Sequence, residues 1–243
     1  MGYLIFCGVG TEGSASVVGS GNVLTGVALS EMPSHKRGKR RFTEYYVKGR
    51  DGALHVDEGY ANIEIQATLV LLDGAASKRQ LVNAWAAGNG KLVLSDDLTK
   101  AYKAMVEKEV KWKRIPGNAG YFDTAQITFN CDPCMYEATE TVQVFTSSGG
   151  ILNPGSADAF PLLAIEGEGT VSVTIAGNNI EIEEMVAGTP VYIDCETGYV
   201  YTPTGGAKEM RGEIPYFPVG QTSGIVLGTN ATKVTVTPHW RWV

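Results

Sequence analysis

The sequence predicts a mainly β protein built from two domains. At 243 residues, the chain can bury one large β core or two smaller ones. Its 30 glycines are spread through short polar breaks between apolar runs, as expected for many short strands joined by turns. Residues 1–139 carry 16 basic and 15 acidic side chains, whereas residues 140–243 carry 4 and 11. We therefore expect an N-terminal domain over 1–139 and an acidic C-terminal domain over 140–243.

The clearest strand covers residues 62–72, where apolar and polar residues alternate at its start. A period of two places alternate side chains on opposite faces of a strand, so one face should be buried. The residues of that face are Ile63, Ile65, Ala67, Leu69 and Leu71. Residues 122–130 alternate in the same way and predict a second buried strand face, formed by Ala125, Ile127 and Phe129.

One helix is predicted, over residues 78–87. Ser77 has the side chain of an N-cap, Gln80 completes a capping box and Gly88 ends the helix. Ten residues are too few to form a stable helix alone, so we expect Trp85 to dock on a sheet. The apolar face of this helix consists of Leu81, Ala84 and Trp85.

Residues 98–114 fit two structures. The spacing of Leu98, Ala101, Tyr102 and Met105 is helical. Even-numbered positions are also apolar, as on one strand face, at Tyr102, Ala104, Val106, Val110 and Trp112. We favour a strand from about Met105 onward, since Val, Trp and alternating Lys suit a solvated sheet face.

The C-terminal half is expected to form a β-sandwich built from hairpins. Short strands recur there, and Gly177-Asn178 between two alternating runs indicates a tight turn. We find no convincing helix after residue 140. The strands are predicted at 162–166, 170–176, 179–184, 190–194, 198–202 and 232–237.

Two motifs suggest chemistry only weakly. Gly8, Gly10 and Gly13 match a dinucleotide-binding loop, but more glycines follow where a helix is required, so we favour a plain loop over a nucleotide enzyme. Cys131 and Cys134 match a C-x-x-C pair, but a strand precedes them and no helix pattern follows. We interpret them as unreactive thiols.

No catalytic residue, metal site or cofactor is predicted. His35, His55 and His239 lack metal-ligand spacing and have no partner motif for nucleophilic catalysis. We also find no signal peptide and no run of about 20 apolar residues, so we expect folding in a reducing cytoplasm and no membrane association.

The basic run at 35–41 is interpreted as an exposed arm or a subunit contact. It could touch phosphate, but the formal net charge of the chain is −6, which argues against binding of nucleic acid.

Several segments, in order, resemble the distal tail protein (Dit) family of siphophages and related prophages. The turn Gly49-Arg50-Asp51-Gly52 follows an apolar residue and precedes a short strand, as in that family. The other similar segments are 57–62, Trp85 with Gly88 and Gly90, 92–97, 102–106, 129–133, 153–155, 160–169, 217–218, 227–230, 234–236 and 238–242.

The resemblance implies a ring. In the family, an N-terminal β-sandwich with one helix closes as a hexamer, and a galectin-like C-terminal β-sandwich lies outside it. The ring joins the tail tube to a tail-associated protein (tail lysin or fibre), and it anchors peripheral or receptor-binding proteins. The implied location is the distal end of the phage tail in the virion, after assembly in the host cytoplasm, and the implied role is structural with no enzyme activity.

The alternative is a lectin-like module that binds carbohydrate on the host cell wall. Sugar binding of the galectin type needs a Trp that stacks on the sugar beside polar donors. The chain end supplies those residue types in Asn230, His239, Trp240 and Arg241.

Overall fold

A computed structural model describes residues 3–7, 9–11, 24–71, 75–117 and 120–243 of the chain. The chain folds into two compact units. The first runs from Met1 to Ala138 and includes Val243, and the second is Thr139–Trp242. The expected mainly β fold with one helix is confirmed.

The first unit is built on one large sheet, a separate hairpin and a helix. The strands of the sheet follow the order β2-β1-β7-β8-β10-β6-β3, with β9 also paired to β10, and all these pairs are antiparallel. The hairpin is β4 with β5. The elements are β1 (Leu4–Phe6), β2 (Val9–Gly10), β3 (Val27–Leu29), β4 (Arg40–Tyr46), β5 (Ala53–Tyr60), β6 (Ile63–Leu71), α1 (Ala75–Ala86), β7 (Asn89–Leu94), β8 (Asp97–Met105), β9 (Lys111–Gly117) and β10 (Gly120–Glu137).

Strands β6 and β10 form the centre of this sheet, as their alternating sequences predict. Five residues of β6, from Ile63 to Leu71 at every second position, are buried. Their partners on β10 include Phe129 opposite Ile65 and Ile127 opposite Ala67. Residues directly opposite one another lie on the same face, so both strands contribute to one core.

The helix begins earlier than the sequence indicated. Helix α1 starts at Ala75, so Ser77 lies inside the helix and is not its N-cap. The sequence around a Ser looks the same whether the Ser caps the start of a helix or lies in its first turn. The expected docking is confirmed for Trp85, which is buried and whose indole N–H donates to the Phe6 carbonyl over 3.1 Å. The rest of the predicted apolar face is wrong: Leu81 and Ala84 are exposed, and Val82 and Ala86 are buried with Trp85 instead.

The ambiguous stretch at 98–114 contains two strands, and the favoured start near Met105 is wrong. Strand β8 ends at Met105, residues 106–110 contain no strand, and β9 begins at Lys111. The helical spacing that begins at Leu98 is also misleading. Ala101 and Tyr102 are adjacent in the chain and both are buried, which strict alternation does not predict.

The second unit is a β-sandwich of two antiparallel sheets. One sheet has the strand order β11-β19-β13-β16-β17 and the other the order β12-β18-β14-β15. All six strands expected in this half are present, and β11, β12, β18 and β20 were not anticipated. The elements are β11 (Gln143–Phe145), β12 (Gly149–Leu152), β13 (Leu162–Gly167), β14 (Gly169–Ile175), β15 (Asn178–Met185), β16 (Val191–Asp194), β17 (Tyr199–Tyr201), β18 (Thr222–Leu227), β19 (Ala231–Thr237) and β20 (Arg241–Trp242).

The two sheets share one core because each strand alternates inward and outward side chains. Leu163 and Ile165 of β13 pack in the same buried cluster as Val171 and Val173 of β14. The turn expected near residue 177 is confirmed. Ile175 pairs with Asn178, and the residues between them, Ala176 and Gly177, have φ of 51° and 85°, the left-handed conformation of a two-residue hairpin turn.

None of the described helical residues forms a segment long and apolar enough to cross a membrane.

Candidate interaction surfaces

The described part of the glycine motif near the N-terminus belongs to a strand pair, which argues against a dinucleotide site. Such a site needs a helix after the first strand, with its N-terminus at the pyrophosphate. Here β2 follows β1 and pairs back on it, with Ile5 opposite Gly10. Gly8 and Gly13 lie outside the described residues. Val9 and Gly10 therefore form a hairpin strand at the start of the motif, and residues 12–23, where its helix would continue, lie outside the described residues.

The C-x-x-C pair lies in a β-bulge and is buried. Both cysteines are on β10, where the pairing with β8 shifts between Cys131 and Met135. Pro133 lies between the two thiols and has no N–H to donate, so it fits a bulge better than a regular ladder. Burial raises the pKa of Cys131 to about 12. A redox dithiol needs a lowered pKa, so this environment opposes redox activity.

The three histidines are held by separate partners. His35 bonds Asp96 over 2.8 Å and the Tyr102 hydroxyl over 2.9 Å. His55 lies 3.7 Å from Glu44, and His239 lies 3.3 Å from Glu140. Within the described ranges, no group of three or more His, Cys, Asp or Glu side chains could hold a metal ion.

The clearest candidate surface is the hairpin of β4 and β5. Within the part of the chain that the structure describes, its two strands pair only with each other, and almost every side chain on them is exposed. The turn predicted at residues 49–52 joins them, with φ of 83° at Gly49 and 76° at Gly52. The sequence located this turn but not the surface around it. The signal was the alternation of aromatic and polar residues on either side.

One face of this hairpin has no charged residue along the paired positions. Thr43 lies opposite Val56, and Tyr45 lies opposite Leu54. The exposed fractions of Tyr45, Leu54 and Val56 are 54%, 40% and 50%. Side chains directly opposite one another share a face, so these four form one continuous patch, and the carboxylate of Glu58 borders it by accepting a hydrogen bond from the Thr43 hydroxyl. We call this patch, Thr43, Tyr45, Leu54 and Val56, the hairpin face.

The basic run at 35–41 leads into this hairpin. Its side chains bind neighbours within the first unit: Lys36 donates to the Glu64 carbonyl, and Arg40 pairs with Asp57 over 2.5 Å. The pKa of Asp57 is lowered by the backbone N–H of Gly59 and by Arg40. Charges engaged in this way stabilise the base of the hairpin and are less available to phosphate. The run is therefore held against its own unit, and a subunit contact there stays a prediction.

The residues expected for sugar stacking at the chain end do not form a site. Trp240 is only 4% exposed and packs against Phe217, with ring centroids 5.8 Å apart. A buried indole cannot stack on a sugar. The Arg241 guanidinium donates to the Asp158 carbonyl, and the Asn230 amide donates to the Thr170 carbonyl. These side chains stabilise the sandwich, so this version of the lectin hypothesis is wrong.

A second candidate surface, missed in the sequence, lies on the outer face of the five-stranded sheet. Tyr192, Tyr199 and Tyr201 occupy outward positions on β16 and β17. They cluster with near-parallel rings: the planes of Tyr192 and Tyr201 differ by 21° and those of Tyr199 and Tyr201 by 20°. Beside Tyr192 lies a groove of about 310 Å³. Alternation of Tyr with Val and Ile in both strands was the available signal.

Over its full length, the chain is similar to the Dit protein of phage SPP1, described as a paradigm of the hub adsorption apparatus in phages that infect Gram-positive bacteria. The TM-score is 0.72 at 12% identity, and 100% of each chain is covered. A phage P2 baseplate structure, in its activated conformation with Ca, gives a TM-score of 0.47 at 10% identity, over 87% of this chain and 90% of that one. We draw nothing from this weaker likeness.

No protein-family model matches the sequence, and no curated protein matches it. The full-length structural likeness nevertheless shows that the chain has the fold of a phage Dit protein, which confirms the resemblance in its sequence segments. The galectin-like character of the second unit stays a prediction.

Proposed function

We propose that this chain is a structural protein of the tail tip of a long-tailed phage, with six copies closed into a ring at the distal end of the tail. The ring joins the tail tube to a tail-associated protein, and the second unit anchors peripheral or receptor-binding proteins. The observation that carries this proposal is the full-length agreement of the fold with the SPP1 hub protein. The work of such a protein is assembly and needs no catalytic residues.

The hairpin face is the subunit interface in this proposal. A closed ring repeats one interface in which each copy offers one surface and receives a different one. A two-stranded hairpin is at best marginally stable in water by itself, and an open strand edge invites pairing with another chain. A neighbouring copy that covers β4 and β5 removes both problems. The occupant is therefore a second copy of this chain.

Burial of the hairpin face would contribute substantially at each interface. Fully burying a Leu or Val side chain is worth about 1.5–3 kcal/mol. Leu54 and Val56 are 40% and 50% exposed, so close to half of that gain remains for assembly. Six copies repeat this gain around a ring, while the charged base of the hairpin stays solvated.

The test is the oligomeric state of the full chain, measured by sedimentation velocity and negative-stain electron microscopy. We expect closed six-membered rings, alone or after addition of the tail-associated protein from the same phage. The double variant Tyr45→Glu, Leu54→Lys should stay monomeric, because it places charges on the hairpin face. Val226→Glu is the matched control, since Val226 is exposed on the second unit and should tolerate the charge.

Two results would contradict the proposal in different ways. A wild-type chain that stays monomeric with and without the partner removes the ring. A double variant that forms rings as readily as the wild type keeps the ring but removes the hairpin face as its interface.

A further inference from the structure

A groove on the outer face of the second unit has the form of a ligand site. It lies on the five-stranded sheet, with Ala164 and Thr235 in its floor and Val142 and Tyr192 among its lining residues. The strand register explains why the sheet surface is recessed at this groove. Across the sheet, Val144, Thr235, Ala164, Tyr192 and Tyr201 lie opposite one another on successive strands. Two small residues in the middle of this row leave a channel between larger neighbours.

The aromatic wall of the groove is built differently from the aromatic clusters of the core. In the first unit, Phe6 and Trp85 meet edge to face, at 87°, and both rings are buried in the core. Tyr192 and Tyr201 are near-parallel with centroids 5.3 Å apart, an offset stack of neighbours on adjacent strands. One face of Tyr192 is covered by Tyr201. The other faces the next strand, where the small side chain of Ala164 lies directly opposite and Leu162 and Pro190 also line the groove.

The remaining lining combines the apolar side chains of Leu162 and Pro190 with hydroxyls and little net charge. Thr235 and Thr237 line the groove, and among the described residues neither hydroxyl has a hydrogen-bond partner. Glu166 is paired with Lys233 over 2.6 Å, so these opposite charges neutralise each other. Asp194 uses one carboxylate oxygen to accept the backbone N–H groups of Glu196 and Thr197. The groove therefore combines an open aromatic face with free hydrogen-bonding hydroxyls.

We propose that this groove binds a segment of an uncharged polysaccharide, with one sugar ring stacked on Tyr192. A pyranose has an apolar C–H face and a rim of hydroxyls, which matches one aromatic face flanked by polar side chains. Its hydroxyls would bond Thr235, Thr237 and the carboxylate of Glu166. The paired charges of Glu166 and Lys233 give no reason for a strongly charged ligand. The site does not depend on ring formation, since every residue in it belongs to the second unit.

The experiment uses the full 243-residue chain on an array of purified bacterial wall and capsular polysaccharides, followed by calorimetric titration with the strongest binder. We expect binding of at least one neutral polysaccharide. Tyr192→Ala removes the stacking face and should weaken binding at least about tenfold, whereas Tyr192→Phe should keep it. Ala164→Leu fills the floor of the groove and should have the same effect as Tyr192→Ala. Tyr216→Ala is the matched control, an exposed tyrosine that does not line the groove.

The outcomes separate this proposal from that of the ring. The four variants should form the same oligomers as the wild type, with unchanged melting temperatures. The proposal is overturned if the chain binds no neutral polysaccharide, or if Tyr192→Ala and Ala164→Leu bind as well as the wild type. Loss of binding to a tail protein in both variants, without sugar binding, would instead identify the groove as a protein-docking site.

Discussion

Trp85 should hold helix α1 on the sheet of the first unit. Its ring lies edge to face with Phe6 and Phe129, at centroid distances of 5.7 and 6.1 Å. Its indole N–H donates to the Phe6 carbonyl, and only 7% of the residue is exposed. A helix of twelve residues is too short to persist in water alone, so this docking sustains the helix.

Trp85→Ala should lower the free energy of unfolding of the first unit by about 3–5 kcal/mol, the usual cost of removing a large buried aromatic. Helix α1 should fray as well, because its anchor is gone. Trp85→Phe keeps an aromatic ring in the core but loses the indole hydrogen bond. The loss of that bond should lower the free energy of unfolding by about 0.5–1.5 kcal/mol.

Urea denaturation, monitored by far-UV circular dichroism and Trp fluorescence, measures these differences in the free energy of unfolding. Leu81→Ala is the matched control, because Leu81 is half exposed on the same helix and its loss should change stability by only about 0.5 kcal/mol. If Trp85→Ala unfolds within about 1 kcal/mol of the wild type, the helix is held by other contacts and the reasoning from aromatic packing fails.

Two further predictions concern titrating groups. Asp123 is buried between Arg79 and Arg114, and the hydrogen bond from Arg79, followed by that from Arg114, lowers its pKa below the ordinary 3.8. A lowered folded-state pKa gives stability that is complete above pH 3.8 and is lost as the pH falls below it. Between pH 7 and pH 3, the urea midpoint should therefore fall more for the wild type than for Asp123→Asn. Equal falls in the two proteins would contradict this prediction. Reaction with Ellman's reagent at pH 8 should label one thiol per chain in the native state, that of exposed Cys7, and four after denaturation. The other three cysteines are buried: Cys131, Cys134 and Cys195. Rapid labelling of a second native thiol would show that a core strand opens.

Most of the fold was predictable from the alternation of apolar and polar residues and from the turn-forming residues. The period of two in β6 identified its buried face residue by residue, since one buried and one solvated face leave a direct trace in the sequence. The same rule located six strands of the second unit and the turn at Gly177. Strand β18 was not predicted because Thr222–Leu227 contains a glycine and exposes Val226, so its alternation is weak.

Errors arose where local sequence gives the same signal for different structures. Ser77 could precede a helix or lie inside it, and residues 98–105 have apolar spacing that fits a helix or an irregularly buried strand. In β8 the neighbouring strands decide, because β7 and β10 pair on both sides and bury adjacent residues such as Ala101 and Tyr102.

The sequence by itself determined that the chain is mainly β, that its charge divides unevenly between two halves, and that its segments follow the order of the Dit family. Only the tertiary structure decided which aromatic residues are available to partners. Trp240 is of a residue type that often stacks on sugars but lies in the core, whereas Tyr45 is exposed and Tyr192 is partly exposed on an outer sheet face. Exposure depends on strands that are distant in the chain, and no local pattern records which strand will cover a given side chain.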